Sequence, residues 1–100
     1  MSYRIQLLPE ARQDIREAIA YYNEQKDQLG LEFFANLAQA VQLVSTNPKI
    51  YRIRHKKVRQ APIKKFSVQL HYLIEERKKR VVVIAVLHTS RNPQIWKDRS

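Results

Sequence analysis

The stretch FSVQLHYLIEERKKRVVVIAVLH, residues 66–88, decides the fold, because it joins two strand patterns of different kinds through a charged turn. Residues 66–75 alternate between apolar and polar, as half-buried strands do; one face holds Val68, Leu70, Tyr72 and Ile74, and the other holds Ser67, Gln69, His71 and Glu75. Residues 80–88 are nearly all apolar, which predicts a central strand covered on both faces. Because only the short turn Glu76–Lys79 separates them, the two strands are predicted to be antiparallel.

Weaker strand patterns lie on either side of this stretch. Residues 3–8 alternate apolar and polar, which predicts an N-terminal strand. Residues 58–63 form another predicted strand, and Pro62 indicates that it lies at an edge or carries a bulge. Residues 89–100 form a tail in which Trp96 is the expected aromatic anchor. The C-terminal half is therefore predicted to contain a three-strand antiparallel meander.

Two helices are predicted between the first strand and this meander. Pro9 suits the first turn of a helix, and its apolar stripe is Ala11, Ile15, Ala18, Ile19 and Tyr22, with an end within residues 23–26. Asp27 is expected to cap a second helix, which ends at Asn47-Pro48 and whose stripe is Leu31, Phe34, Leu37, Ala38, Val41 and Val44. A short connection between amphipathic helices favours an antiparallel helical hairpin.

These elements predict one α+β domain over residues 1–100. Its order is strand, helix, helix and then three strands, with the helices packed on one face of the sheet. The opposite face is expected to be open, with basic residues on it or along its rims. That face is also expected to carry apolar surface, because the side chains of the apolar central strand project to both sides of the sheet.

The charge of the chain is concentrated in its second half. Residues 1–50 hold five basic and six acidic residues, a net −1, and residues 51–100 hold fourteen basic and three acidic residues, a net +11, which together give the total of +10. Such a distribution favours a polyanion or an acidic protein as partner. A solvated basic face without a partner is the plainer alternative.

Composition excludes several classes of protein. The chain has no cysteine and one glycine, so a disulfide framework, a thiolate metal site and a glycine-rich phosphate loop are excluded. The three histidines, at positions 55, 71 and 88, lack metal-ligand spacing, so neither a metal nor another cofactor is expected. The longest apolar run, Val81–Leu87, is too short to cross a bilayer, and the first residues lack the apolar core of a secretory signal. A cytoplasmic protein with no membrane partner is expected.

Several short segments along the chain carry a more specific signal. In order they are Leu8-Pro9-Glu10-Ala11 with Asp14-Ile15; Tyr21-Tyr22; Leu29-Gly30-Leu31-Glu32-Phe33; Asn47-Pro48; Val58-Arg59 with Lys65-Phe66 and Leu70-His71-Tyr72; and His88-Thr89-Ser90-Arg91-Asn92-Pro93 with Trp96 and Arg99. In this order and spacing they resemble the RelE/ParE superfamily of toxins from bacterial type II toxin–antitoxin pairs. The resemblance covers nearly the whole chain.

The resemblance implies a growth-arresting toxin that a cognate acidic antitoxin neutralises in a toxin–antitoxin hetero-oligomer. Two activities occur in the superfamily: RelE-like members cleave messenger RNA in the ribosomal A site, whereas ParE-like members inhibit DNA gyrase and cleave no RNA. The C-terminal pattern, which runs from His88 to Trp96, is closer to ParE-like members. DNA gyrase is therefore the expected target, and the ribosome with its mRNA is the alternative.

If the chain cleaves RNA, the expected catalytic residues are Arg59, His88 and Arg91. Cleavage needs a base for the 2′-hydroxyl, cations for the phosphate and an acid for the leaving 5′-oxygen. Arg59 and Arg91 could hold the phosphate through paired hydrogen bonds. His88 is expected to end the central strand and to titrate near neutral pH, since it continues the alternation of Val82, Ile84 and Val86. The expected target- or nucleic-acid-binding set is Lys56, Lys57, Arg59, Lys64, Lys65 and Arg91.

Each of these assignments has a structural alternative. His88 could cap its strand by bonding to the backbone, and Arg91 could hold the C-terminal tail. Lys64 and Lys65 could keep an edge strand soluble. His71 is expected to face solvent or a partner.

Three observations bear on the function class. RNA-cleaving relatives usually carry a catalytic tyrosine near the C-terminus or a dense set of lysines and arginines. Here the late aromatic residue is Trp96, and an indole cannot act as an acid or a base. A DNA-binding helix-turn-helix is disfavoured, because the helical half is net −1. A small basic RNA-binding protein remains an alternative, but Tyr51 and Tyr72 are its only candidates for base stacking, and Tyr72 fits the core better.

Overall fold

The computed structural model describes residues 2–100, which form a mixed five-stranded sheet with a helical hairpin on one face and a short helix on the other. In chain order the elements are β1 (Arg4–Leu7), α1 (Pro9–Gln25), α2 (Leu29–Thr46), β2 (Ile53–His55), β3 (Val58–Pro62), β4 (Val68–Glu75), β5 (Arg80–His88) and α3 (Gln94–Lys97). This α+β architecture confirms the predicted fold class. No helix within residues 2–100 is long and apolar enough to cross a membrane.

The strand order is β1-β5-β4-β3-β2, and only the β1–β5 pair is parallel. The antiparallel meander has four strands where the sequence predicts three, because β2 is an added edge strand. Its three residues carry no complete apolar–polar repeat, so periodicity could not identify it. The added strand places β3 inside the sheet, and Pro62 is tolerated there because it is the last residue of β3.

The helical hairpin closes over one glycine. A Cβ at Gly30 would lie 2.6 Å from the carbonyl oxygen of Ile19 and 2.7 Å from the Asn23 side chain, so only glycine fits. The Asn23 side-chain oxygen accepts the Gly30 N–H at 2.8 Å. The prediction that Asp27 caps α2 is wrong, because Gln28 occupies the cap position in a left-handed conformation, with φ 65°, and makes no side-chain cap.

A bulge in β5 corrects the predicted side-chain alternation. His71 pairs with Ala85 and Tyr72 pairs with Val83, so one extra residue, Ile84, is inserted into β5. A bulge of this kind exchanges the two faces for every residue beyond it. Val82 and Ile84 therefore lie on the face opposite to Val86 and His88, and the prediction that all four share one face is wrong.

The sheet is consequently covered on both faces by separate apolar clusters. The cluster beneath the helical hairpin includes Phe33, Leu37, Val44, Leu70, Tyr72, Val81, Val83 and Val86. The cluster on the second face consists of Val58, Val82, Ile84, Ala85, Leu87 and Trp96, with Leu8, Leu73 and Ile95 packed against it. The expectation that the second face is open is wrong, because α3 and its indole cover much of it.

Candidate functional site

The outer edge of β5 is the first unusual feature of the site. The pairing of β1 with β5 ends at Leu7 and Val83, so the rest of β5, up to His88, extends beyond its neighbour. The Asp14 carboxylate accepts the Val86 N–H at 3.0 Å, and the Arg99 guanidinium donates to the Ile84 carbonyl oxygen at 3.1 Å. Two side chains therefore supply the hydrogen bonds that a missing strand would have made.

These two side chains also bind each other. The Asp14 carboxylate and the Arg99 guanidinium approach to 2.6 Å, and their side chains are only 7% and 18% exposed. Because both charges are withdrawn from water, the loss of one partner would leave the other as a costly uncompensated buried charge. The contact joins α1 to the last residues of the chain, so Arg99, rather than Arg91, holds the C-terminal tail. Asp14 could have been identified from the sequence, since it is a carboxylate three residues after Ala11 and four before Ala18, on the apolar stripe of α1.

The tail places Trp96 on the second face of the sheet, directly against His71. The two rings stack with their centroids 4.8 Å apart and an angle of 17° between their planes, and His55 meets the same indole edge-on at 5.8 Å. His71 is only 3% exposed, so the prediction that it faces solvent or a partner is wrong. Burial, and then the charge of Arg99, lowers the pKa of His71 from 6.5 to about 4. Its Nδ1 atom is buried without a hydrogen-bond partner.

A cavity of about 310 Å³ lies beside this stack on the second face. Its walls combine the amides of Gln60 and Gln69 with the cationic side chains of Arg54, Arg91 and Lys97. This arrangement can accept an anion and hydrogen-bond to a planar polar group. Acid–base chemistry has less support there, because His71 is neutral near pH 7 and an indole exchanges no proton.

His88 and Arg91 come together at the rim where β5 ends. The Arg91 N–H donates to the His88 carbonyl oxygen at 3.0 Å, and the Ser90 N–H donates to His88 Nδ1 at 3.0 Å. His88 thus organises the turn after its strand. Both residues line the second-face cavity and also a groove of about 390 Å³ on the helix side, whose far wall is α1 with Asp14 and Tyr21.

Arg59 lies apart from this pair. It is opposite Tyr72 in the β3–β4 register, and Tyr72 belongs to the cluster beneath the helices. Its guanidinium donates to the Tyr51 carbonyl oxygen at 2.6 Å. The structure therefore brings two of the three expected catalytic residues together and places the third on the helix side of β3.

The predicted binding lysines are divided between the two ends of the sheet. Lys56 and Lys57 form the turn between β2 and β3. Lys64 and Lys65 lie in the turn between β3 and β4, at the opposite end, where Lys65 is 3.7 Å from the carboxylate of Glu32. The six residues of the expected binding set therefore do not form one surface.

Comparison with solved structures relates this fold to bacterial toxins. The ParDE toxin–antitoxin system from P. aeruginosa superposes with a TM-score of 0.76 at 10% identity, covering 87% of this chain and 96% of that one. A variant of E. coli toxin RelE in the free state superposes with a TM-score of 0.72 at 18% identity, covering 99% of this chain and 95% of that one. The matching chain of the intact E. coli RelBE toxin–antitoxin complex superposes with a TM-score of 0.66 at 19% identity, covering 90% of this chain and 100% of that one. At these identities the superpositions establish the fold alone.

Sequence comparison adds the family. None of the curated proteins compared with the chain is a significant match. Residues 5–93 match the family described as the ParE toxin of the type II toxin–antitoxin system, parDE. That match spans β1 to the turn after β5, including Asp14, the hairpin glycine and the His88–Pro93 segment. The resemblance read from the sequence is thus confirmed, and the chain belongs to the ParE toxin family of type II toxin–antitoxin systems.

Proposed function

We propose that this toxin arrests growth by inhibiting DNA gyrase. Family membership supports a toxin role, and the ParE-like C-terminal pattern favours gyrase among the superfamily's targets. The observation that carries the choice is the separation of Arg59 from His88 and Arg91. RNA cleavage needs a base, an acid and phosphate-binding cations around one phosphate. Here Arg59 on β3 pairs with Tyr72 of β4, whereas His88 on β5 pairs with Val68, four residues away along β4.

The second-face stack supports the same choice. The most buried imidazole, His71, has a pKa of about 4 and packs flat against Trp96. A general base or acid works best with a pKa near the working pH. The indole beside it can only donate a hydrogen bond. The centre of this face therefore serves packing better than proton transfer.

Ribosome-dependent cleavage of mRNA is the second candidate function. It is favoured by the second-face cavity, where Arg54, Arg91 and Lys97 surround two amide side chains at a volume suited to one nucleotide. In that case His88 and Arg91 would act from the rim. Arg59 would have to leave the Tyr51 carbonyl oxygen to join them.

We further propose that a cognate acidic antitoxin binds this toxin as a hetero-oligomer. Structural neighbours that are toxin–antitoxin complexes support such a partner. The net charge of +10 favours acidity in it. The largest exposed apolar side chains near the α1–α2 connection are Tyr21, Leu31 and Phe34, 56%, 65% and 50% exposed. Apolar anchoring is thus better supported on the helical hairpin than on the second face, which α3 covers.

Expression and two purified assays test the proposal. Expression of the toxin alone should arrest growth, and co-expression of the antitoxin should relieve the arrest. Purified toxin should block gyrase supercoiling and leave ribosome-bound mRNA intact. Codon-level cuts in the mRNA that disappear in His88→Ala or Arg59→Ala would replace gyrase by the ribosome as the target. Normal growth at high soluble expression would contradict a toxin role.

The antitoxin proposal has a kinetic test. Raising the salt concentration should slow association, because charge steers the encounter, and should barely change dissociation, because apolar burial holds the complex. A dissociation rate that climbs steeply with salt, at a constant association rate, would mean that ion pairs hold the complex instead.

A further inference from the structure

The cations at one end of the sheet form a surface that lies outside the apolar antitoxin contact proposed for the helical hairpin. The turn between β2 and β3 and the turn between β4 and β5 both lie at this end, because each strand of the meander reverses the direction of the one before. We call this surface the turn end; it consists of Lys56, Lys57, Arg77, Lys78 and Lys79. All five residues are exposed.

Within residues 2–100, the five cations of the turn end form no ion pair. The four ion pairs among residues 2–100 involve Lys49, Lys65, Arg80 and Arg99, none of which belongs to the turn end. The one carboxylate in these turns, Glu76, is 3.2 Å from Lys49 and accepts a hydrogen bond from the Tyr3 hydroxyl. Lys79 lies over the Tyr3 ring at 5.5 Å and forms no ion pair, although its charge helps to lower the pKa of Glu76.

The backbone of each of the two turns holds one lysine in an unfavourable conformation. Lys56 and Lys79 have φ values of 53° and 49°, in the left-handed region. That region costs a residue other than glycine or asparagine about 1 kcal/mol. Glycine or asparagine would form either turn with less strain. Two turns at one end therefore both carry a cation in a conformation that does not suit it.

From these observations we propose that the turn end binds the phosphate backbone of double-stranded DNA. Strands are about 4.8 Å apart, so the two hairpins lie about 10 Å from each other. That separation is close to the width of the major groove, about 12 Å, and lets the two turns contact phosphates on both of its borders. Neither turn displays an apolar side chain, which disfavours a protein partner, since protein interfaces rely on buried aromatic and aliphatic anchors.

The choice of DNA as the duplex rests on the proposed gyrase target, since gyrase holds double-stranded DNA. The binding surface itself rests only on charge, exposure and backbone conformation. In this reading the toxin meets the gyrase–DNA complex with its turn end on the DNA. The contact carries no sequence information, because phosphates are the same at every base pair.

The test measures binding of the full-length toxin to a labelled DNA duplex of about 20 base pairs by fluorescence anisotropy, from about 50 to about 200 mM salt. Lys56→Gln with Lys57→Gln should weaken binding at least about tenfold and reduce the salt slope by about 2. The matched control is Lys64→Gln with Lys65→Gln, which removes the same charge from the opposite end and also includes a left-handed lysine, with φ 73°. The control should leave the slope nearly unchanged.

Several outcomes would overturn the proposal. Equal losses in the two double variants would mean that net charge, and not the turn end, binds DNA. Absence of binding near 50 mM salt would exclude the contact altogether, and tighter binding of an RNA duplex of equal length would exclude DNA as the preferred ligand. Gyrase inhibition measured on the same variants separates the two proposals. Localised DNA binding without inhibition rejects only the gyrase target, and inhibition without localised DNA binding rejects only the turn end.

Discussion

The two faces of the sheet are built in different ways although they share the same strands. The helix side is covered by two long amphipathic helices over a large apolar cluster. The second face is covered by the four-residue helix α3, the Trp96 indole, and a tail that Arg99 ties to Asp14. Apolar burial therefore dominates the helix side, whereas a few specific polar contacts hold α3 and the C-terminal tail on the second face.

The largest expected effect is on the helix side. Phe33 is fully buried and contacts the rings of Tyr22 and Phe66. Phe33→Ala should lower the free energy of unfolding by about 3–5 kcal/mol, because it removes apolar burial and leaves a cavity. The control is its neighbour: Phe34 is 50% exposed, and Phe34→Ala should cost about 0.5 kcal/mol or less. Denaturant unfolding measures both, and similar costs for the two variants would contradict the described orientation of α2.

The next largest effect concerns the buried ion pair between Arg99 and Asp14, which holds the C-terminal tail. Arg99→Gln should cost about 3–4 kcal/mol, because it leaves the buried Asp14 carboxylate without its charge partner. The matched control is Arg91→Gln, which removes an exposed guanidinium from the same tail and should change stability little. Protease digestion should release the C-terminal residues of the Arg99 variant first. A tail that stays protected would show that Trp96 suffices to hold it.

Acid should weaken the second face selectively. The pKa of His71 falls from 6.5 to about 4 on folding, so the unfolded chain takes up the proton first as the pH drops. Stability from this imidazole is complete above pH 6.5 and is lost progressively down to about pH 4. The loss amounts to at most about 3 kcal/mol.

Substitution identifies the group responsible. His71→Phe keeps a ring against Trp96 and should remove this part of the acid dependence, while His88→Phe, at an exposed position, should retain it. Other groups that titrate in acid, such as Glu76, whose pKa is lowered by hydrogen bonds from Lys49 and Tyr3, contribute equally to all three proteins. Unfolding measured at pH 7 and near pH 4.5 makes the comparison. If the stability of the His71 variant depended on acid as that of the unsubstituted protein does, a group other than His71 would be responsible.

The smallest expected effect lies at the turn end and has the opposite sign. Lys56→Asn should stabilise the fold by about 0.5–1 kcal/mol, because asparagine tolerates the left-handed backbone better than lysine. Lys57→Asn in the same turn is the control, since Lys57 is not left-handed. Thermal unfolding resolves differences of this size. Destabilisation by Lys56→Asn would show that the lysine contributes more than its charge.

The sequence predicts the helices and strands better than it predicts which parts of the chain pack on each face of the sheet. The bounds of α1 and β5 and the end of α2 follow from long periodic patterns and from Pro9 and Asn47-Pro48, and these predictions are confirmed. The first part of the predicted α2 stripe is wrong, because Phe33 is buried whereas Leu31 and Phe34 are exposed. β2 is too short to show a period. The bulge at Ile84 is invisible in an all-apolar run, because either face could receive any of its residues.

The site was harder to predict because its contacts join residues that lie far apart in the chain. Periodicity places His71 on the face opposite to Tyr72, which is correct, but it does not show that a tail folds back over that face. The pairing of Asp14 with Arg99 joins residues 85 positions apart in the chain. A carboxylate within an apolar stripe indicates a buried partner, yet nothing in the local sequence identifies which cation provides it.

The centre of the second face is packed, and the buried imidazole of His71 is unavailable for proton transfer there. An NMR titration of the histidine Cε1 protons in the full-length toxin tests it most directly. His71, assigned by the loss of its resonance in His71→Phe, should titrate near pH 4, and the Trp96 ring current should shift that resonance. A His71 pKa between about 6 and 7, the range of a solvated imidazole, would contradict the packing of His71 against Trp96 and make this face a candidate catalytic surface.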